Sequence, residues 1–360
     1  MKKQFVKILS MCALGATTVF VSCKDKNDDE KPEVKTVKRV FILNEGKMNS
    51  NNASLDVYYP NGENDYQSKV FAAANRQGLG DTGQDLLAYG DRIYVSVSGS
   101  NYLAKLDQKG KIVEQYSFTE TDGSPRYLAA KDGFIYVSTW GNKVMKFDTA
   151  AIVAPINSVA VGLNPEGIAV KGNYLIVCNS TEYPVVDSTI SVIDLTTFTL
   201  KKNVETQFGN FQKVAVVGDS VYLTYFTPTY SIEMLNFDVE SGTVKNAGSA
   251  TNMVSFDGKL YCANSATVYD ANWNATINTN FFVRDVKTGK DSEFLDLTSA
   301  PELKTATVYM FEIDPDNGDI YVAASDYQTN GTVYRFGQDG KLIAKFETSS
   351  LNPNNAAFVK

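Results

Sequence analysis

Short apolar runs recur along the whole chain, and most of them follow a turn that contains Gly. They are too short for helices and rich in Val, Ile, Leu and Tyr, a composition that favours β-strands. The runs are centred on Phe41, Tyr94, Tyr136, Ile176, Tyr222, Tyr261 and Tyr321. Their spacing of roughly 40 to 60 residues is close to the repeat of a β-propeller blade.

Each apolar run is flanked by further strand-like segments. One precedes it after a turn such as Asn164-Pro165, one follows it and often ends in Asp, and a last one begins after a Gly turn such as Asp339-Gly340. Segments joined by such turns form hairpins. The sequence therefore predicts an all-β fold, a seven-bladed β-propeller of four-stranded antiparallel blades.

The chain ends predict how the ring closes. The first run, Val40–Leu43, has no strand before it, whereas residues 352–359 resemble a first strand with no apolar run after them. Pairing these two segments completes the seventh blade and removes the free strand edges. Two longer intervals place insertions at residues 44–85 and 262–308, and enlarged loops often carry function.

The first residues have the pattern of a targeting segment. Lys2, Lys3 and Lys7 precede a mostly apolar stretch that is too short to span a bilayer comfortably, and Phe20–Cys23 resembles a bacterial lipobox. We predict a lipoprotein signal peptide at 1–22, a lipidated Cys23 with a flexible acidic tether at 23–37, and the propeller at 38–360. The alternative is an ordinary cleaved signal peptide with an incidental Cys.

The acidic run after Cys23 predicts location. It resembles the export signal that takes lipoproteins of certain gut anaerobes to the outer face of the outer membrane, so we expect a lipid-anchored protein facing the cell exterior. A solvated linker on the periplasmic face is the alternative. Of the remaining thiols, Cys178 and Cys262 fall in different repeats, so we predict that both are buried and free.

Composition excludes several function classes. The chain is 43% hydrophobic and 12% aromatic, has a net charge of -7 and contains no His. An acidic chain without clustered Lys and Arg is not suited to nucleic acid. Without His, Ser-His-Asp triads, His-rich zinc sites and His-ligated haem are excluded. We expect a protein that is not an enzyme and has no catalytic residue, resident metal or cofactor.

In an antiparallel blade, the start of the innermost strand and the end of the second strand lie on the same face of the ring. These positions are rich in amides, hydroxyls and aromatic rings, which suit a large neutral ligand with many amides or hydroxyls. Turn formation by Asn, Ser and Gly is the alternative explanation, and Trp273 would equally serve as a loop anchor. The candidate ligand-binding residues are Asn44, Glu45, Gln84, Asp85, Ser100, Arg126, Trp140, Glu166, Asn179, Phe211, Tyr225, Asn252, Trp273, Tyr309, Asp326 and Asn355.

Three segments resemble one family: Asn44-Glu45-Gly46, Asn51-Asn52-Ala53-Ser54-Leu55 and the Gly-rich residues 78–85. They are similar to the BtuG-type surface lipoproteins, seven-bladed YncE-like propellers that bind cobalamin. The resemblance implies a corrinoid as bound ligand, a TonB-dependent outer-membrane transporter as partner, and membrane contact through the lipid anchor only. A propeller that binds a glycan or a protein partner is the alternative, followed by a lactonase-like enzyme, which the absence of His disfavours.

Overall fold

The protein is described by a computed structural model that covers residues 38–61, 65–229, 231–269, 272 and 275–360. In these residues, seven four-stranded antiparallel sheets form the blades of a seven-bladed β-propeller, and a two-stranded hairpin is added to one of them. The predicted fold class is confirmed. The predicted boundaries at 1–22 and 23–37, with Cys23, lie outside the described residues.

Four blades occupy the first part of the chain. Blade 1 consists of β1 (Arg39–Asn44), β2 (Ser54–Tyr58), β3 (Tyr66–Gln67) and the C-terminal strand β30 (Pro353–Val359). Blade 2 consists of β4 (Gly83–Tyr89), β5 (Arg92–Val97), β6 (Tyr102–Leu106) and β7 (Ile112–Ser117). Blade 3 consists of β8 (Pro125–Lys131), β9 (Phe134–Thr139), β10 (Lys143–Asp148) and β11 (Asn157–Ala160). Blade 4 consists of β12 (Ile168–Lys171), β13 (Tyr174–Cys178), β16 (Thr189–Asp194) and β17 (Thr199–Glu205), with the hairpin β14 (Thr181–Glu182) and β15 (Val185–Val186) between β13 and β16.

Three further blades complete the ring. Blade 5 consists of β18 (Phe211–Val217), β19 (Ser220–Phe226), β20 (Ile232–Phe237) and β21 (Val244–Asn246). Blade 6 consists of β22 (Asn252–Phe256), β23 (Lys259–Tyr269), β24 (Ala275–Arg284) and β25 (Asp291–Ser292). Blade 7 consists of β26 (Thr307–Ile313), β27 (Ile320–Ser325), β28 (Thr332–Phe336) and β29 (Leu342–Glu347). The helical segments are α1 (Val70–Asn75) and the 3-10 turns Leu297–Ser299 and Pro301–Thr305.

The chain ends close the ring as predicted. Strand β30 pairs antiparallel with β1, from Arg39 opposite Val359 to Asn44 opposite Pro353. The innermost strands then contact one another in sequence, β4 to β8, β12, β18, β22, β26 and β30, and β30 returns to β4. No innermost strand is left without a neighbour on either side.

The core lies between blades rather than inside a single sheet. One cluster of buried side chains joins blades 1 and 2, through Phe41 and Leu55 on one side and Ile93 and Val95 on the other. Similar clusters fill the other interfaces, such as Val40 with Tyr321 between blades 1 and 7. Since the second strand of each blade is covered on both faces, it reads as a continuous apolar run. This is the physical origin of the repeat.

One further prediction on the described residues concerns the two thiols. Cys178 and Cys262 are both buried and free, as predicted. They lie in β13 and β23, which belong to blades 4 and 6. Within the part of the chain that the structure describes, no helix has the length and hydrophobicity needed to cross a membrane.

Candidate ligand-binding face

One end of the ring gathers most of the candidate residues. Each innermost strand begins at this end, and the antiparallel second strand returns to it, as the pairing of Pro125 with Thr139 in blade 3 illustrates. We call this end the top face and the other end the bottom face. Loops between third and fourth strands, such as the one between β10 and β11, lie on the bottom face.

The best-defined group on the top face is the Trp140 cluster, formed by Arg126, Trp140 and Glu166. Arg126 donates from Nε to Glu166 Oε2 at 3.0 Å, and its Nη2 lies 2.9 Å from the same oxygen. The indole Nε1 of Trp140 donates to Glu166 Oε1 at 3.0 Å. Arg126 also reaches Ser98 Oγ at 3.3 Å. The Glu166 carboxylate, at the start of blade 4, therefore fixes a cation and an aromatic ring that both belong to blade 3.

Local backbone geometry holds Trp140 in place. Its N–H donates to the carbonyl of Ser124 at 3.0 Å, and Gly123 approaches the Trp140-Gly141 peptide closely. A Cβ on Gly123, which has φ +73°, would lie 2.0 Å from Gly141 N, so only glycine fits. The turn thus presents a ring that is 45% exposed although its polar edge is bonded.

A second group lies on the blade 1 and blade 7 side of the top face. The Tyr309 hydroxyl donates to the Glu45 carboxylate, and the Tyr309 ring meets Tyr327 edge-on with centroids 5.6 Å apart. Tyr327 is 49% exposed. Burial raises the pKa of Glu45 above its ordinary value, while the Tyr309 hydrogen bond and the charge of Arg126 oppose the increase. This influence of Arg126 links the second group to the Trp140 cluster.

Below the top face, charged side chains from three blades approach the axis. Asp85 accepts from Leu128 N at 2.7 Å and from the Asn355 amide, and Lys213 donates to Asn252 Oδ1. Burial raises the pKa of Asp85 to about 7 and that of Glu312 to about 8, and lowers that of Lys213 to about 8. The three groups act on one another's pKa values, so we treat Asp85, Lys213 and Glu312 as one axial triad.

The other predicted residues do not join these groups. Asn44 is fully buried and donates to Ser54 and Asp56, and Asn179 is fully buried and donates to Thr189 and Ser191. Phe211 and Tyr225 belong to the apolar core between blades 4 and 5. Gln84 is nearly buried, and its carbonyl accepts from Asn354.

Two predicted residues organise turns. Ser100 Oγ accepts from Asp81 N at 2.8 Å, and the Asp326 carboxylate accepts from Gln328 N and Thr329 N. These backbone hydrogen bonds lower the pKa of Asp326 to about 2. Trp273 lies outside the described residues.

Sequence reasoning did not include Lys213, Tyr127 or Tyr327 among the candidates. Lys213 and Tyr127 lie on innermost strands. A polar side chain at an inward-facing position of such a strand is the sequence feature that could have identified them. Tyr127 is half-buried, and the charges of Glu166, Arg126, Asp85 and Glu45 all act on its hydroxyl, whose pKa burial raises. Tyr127 therefore lies between the Trp140 cluster and the axial triad.

Several exposed apolar side chains also lie on the top face. Tyr183 is 93% exposed at the β14–β15 hairpin, Met48 is 73% exposed in the loop after β1, and Val268 is 48% exposed near the end of β23. Among the described residues, no group of three or more His, Cys, Asp and Glu side chains is arranged to hold a metal ion. The top face therefore offers aromatic rings, amides and a few paired charges.

Three solved structures share the fold with this chain at low sequence identity. Hydrazine synthase from Kuenenia stuttgartiensis gives a TM-score of 0.58 at 17% identity, over 77% of this chain and 95% of that one. The WD40 propeller domain of Doa1 gives 0.55 at 12%, over 81% and 87%. Apo AztD from Citrobacter koseri gives 0.52 at 13%, over 90% and 98%. At these identities the likeness concerns the fold.

The sequence itself decides the family. No curated protein matches it. Residues 38–355 match the family described as "Domain of unknown function (DUF5074)", and the chain therefore belongs to that family.

Proposed function

We propose that the protein is a non-enzymatic, surface-exposed lipoprotein that captures a corrinoid on its top face and passes it to a TonB-dependent outer-membrane transporter. The observation that carries the proposal is the Trp140 cluster, an exposed indole fixed by the part-buried Arg126–Glu166 pair. A fixed aromatic ring gives contact area at low entropic cost. The resemblance of residues 44–46, 51–55 and 78–85 to BtuG-type proteins supports the same ligand.

The chemistry of the top face suits the periphery of a corrinoid. Such a ligand carries propionamide and acetamide arms, which pair with hydroxyl and carboxylate groups such as those of Tyr309 and Glu45. Because the chain has no His, it has no imidazole to replace the lower cobalt ligand. Recognition would then rest on the arms and on the flat surface against Trp140 and Tyr327.

Calorimetry with cyanocobalamin and with cobinamide tests the capture step. Trp140→Ala should weaken binding by more than about tenfold, equivalent to about 1.4 kcal/mol. The matched control is Ile156→Ala, which truncates an exposed apolar side chain on the bottom face of the same blade and should leave affinity unchanged. Absence of heat and of thermal stabilisation with both ligands would refute corrinoid capture.

Exposed apolar residues of the top face support the transporter step. Large exposed apolar patches on a protein surface commonly mark partner contacts. Replacement of Tyr183 and Val186 by Ser should reduce co-purification with a corrinoid transporter co-expressed from the same genome, without changing the heat of ligand binding. Unchanged co-purification would move the partner contact away from the β14–β15 hairpin.

A further inference from the structure

A cavity of about 330 Å³ lies at the outer edge of blade 1, apart from the Trp140 cluster. Three segments and one loop residue form its walls: residues 51–55, the segment 69–79 through Lys69, Phe71, Ala72, Gly78 and Leu79, residues 349–351, and Asn330. Two of these walls contain parts of the segments that resemble BtuG-type proteins, residues 51–55 and 78–79. Neither part contributes a side chain to the Trp140 cluster. The volume falls within the range of small-molecule sites, roughly 300 to 1,000 Å³.

The cavity exists because blade 1 has an incomplete outer strand. β3 pairs only with Val57 and Tyr58, so the upper half of β2 has no fourth strand beside it in the described residues. In blade 2, by contrast, β7 follows β6 from Tyr102 to Leu106. Helix α1 and the bridge between Ala53 and Gly80 cover part of the gap and leave the cavity between them.

The wall beside β2 is rigid. The Asp56 carboxylate is fully buried and accepts from Asn44 at 2.6 Å, from the Tyr66 hydroxyl at 2.7 Å and from Lys69 N at 2.7 Å. It also accepts from the backbone and hydroxyl of Ser349, which belongs to the opposite wall. One satisfied carboxylate therefore joins two walls of the cavity, as a preorganised site requires.

The polar groups of the cavity lining that lack an intramolecular partner are mainly hydrogen-bond donors. Lys69 and Asn51 are both exposed, and among the described residues neither the Lys69 ammonium nor the Asn51 side chain has a hydrogen-bond or ion-pair partner. Asn52 Oδ1 accepts from Lys47 N at 2.8 Å, so its amide N–H₂ is the part still available. Beneath these groups lie the apolar side chains of Phe71 and Leu79. One unpaired cation with amide donors suits an acceptor-rich ligand that carries one negative charge.

We propose that the blade 1 cavity is a second ligand site, for a small hydroxylated carboxylate of the uronic acid type. Its carboxylate pairs with Lys69, and its hydroxyls bond to Asn51 and Asn52. Asn330, whose amide N–H₂ already donates to Glu347 at 3.1 Å, contributes its Oδ1 as an acceptor. A monoanion matches the single free ammonium, and an alicyclic ring matches the apolar floor. This site lies on the outer rim of the top face, shares no residue with the Trp140 cluster, and does not depend on corrinoid binding.

Calorimetry and saturation-transfer NMR with glucuronate test the proposal, with glucose and inorganic phosphate as comparison probes. Glucuronate should bind, glucose should bind at least tenfold more weakly for want of the carboxylate, and phosphate should bind more weakly than glucuronate. Lys69→Gln should weaken glucuronate binding at least tenfold. The control Lys259→Gln, which removes an exposed ammonium on blade 6, should not.

Two further variants keep the result decisive. Asn51→Gly removes an exposed amide, fits the positive φ of 50° at this position and should also weaken glucuronate binding, which covers the case in which Lys69→Gln does not fold. Trp140→Ala should leave glucuronate binding unchanged, so failure of corrinoid capture and failure of this site are distinguishable. Wild-type affinity in both cavity variants, equal affinity for glucose, or no glucuronate signal would overturn the proposal.

Discussion

The guanidinium of Arg126 lies over the indole ring of Trp140, with its Cζ 4.3 Å from the ring centroid. A cation in this position is attracted by the face of the ring, and the contact strengthens when it is desolvated. Both side chains also bond to Glu166, so the stacked pair has a common anchor. The orientation of the exposed indole therefore depends on a carboxylate that is 5% exposed.

Glu166→Gln should lower the free energy of unfolding by about 3 kcal/mol, because it leaves Arg126 without its buried counter-ion. Urea unfolding monitored by tryptophan fluorescence measures this loss. Asp339→Asn is the matched control, since its pair with Lys341 is exposed, and its cost should stay below about 1 kcal/mol. Equal costs for the two variants would contradict the anchoring role of Glu166.

Removal of residues 351–360 should abolish cooperative unfolding of the ring. The deletion removes β30, which pairs with β1 along its full length and contacts β4 and β26. Scanning calorimetry of the two proteins provides the measurement. Removal of Lys360 alone, which ends an exposed ion pair with Asp316, should change the melting temperature little. A deletion variant that melts like the longer protein would disprove closure by β30.

The axial triad predicts that stability falls as pH rises through neutrality. Folding raises the pKa of Glu312 from its ordinary 4.5 to about 8, so the folded state binds that proton more tightly. The resulting stabilisation is complete below about pH 4 and is lost as pH rises to about 8. Asp85, with its pKa raised from 3.8 to about 7, acts in the same direction. Lys213 acts above about pH 8, where its lowered pKa makes stability rise with pH.

Melting temperatures between pH 5 and pH 8 test this dependence. Glu312→Gln should have a flatter profile than the wild type, because it removes one of the two raised carboxyls without removing a hydrogen bond found in the structure. Glu205→Gln, on the exposed edge strand β17, should keep the wild-type profile. Parallel profiles for wild type and Glu312→Gln would rule out titration of Glu312 in this range.

Both thiols should be unreactive in the folded protein. Cys178 and Cys262 are fully buried, and burial raises both pKa values, that of Cys262 to about 12. Since the thiolate is the reactive form, 5,5'-dithiobis(2-nitrobenzoate) should label neither at pH 8 and both in guanidinium chloride. Rapid labelling of the native protein would show that blade 4 or blade 6 opens easily.

The fold was predictable because its main signal is physical and repeated. A strand covered on both faces must be apolar along its length, so runs such as Ile93–Val97 stand out wherever they occur. Closure of the ring was also predictable, because the first apolar run lacks a preceding strand and the last strand-like segment lacks a following one. Helix α1 was not predicted. Its six residues stand where other blades have part of an outer strand, and a short apolar run does not distinguish a helix from a strand.

The candidate site was predictable only as a face. Asn44 and Glu45 are neighbours, yet Asn44 is buried against Asp56 while Glu45 bonds to Tyr309 on the top face. Arg126 and Glu166 meet because adjacent blades place them side by side, and composition does not show which carboxylate an arginine will choose. The axial position of Lys213 depends on the alternation of β18, which shifts at a bulge between Phe211 and Val214.

The pairing of β1 with β30 also determines when the ring can close during synthesis. During translation β1 is synthesised long before β30. The inner edge of β1 therefore stays unpaired until Pro353–Val359 have left the ribosome. During that interval the earlier blades have partners, but the ring remains open and its edge is available to other chains. Premature termination or trimming before Val359 leaves this defect permanently. Because β30 must pair with β1, the ring closes only in a chain that contains both strands.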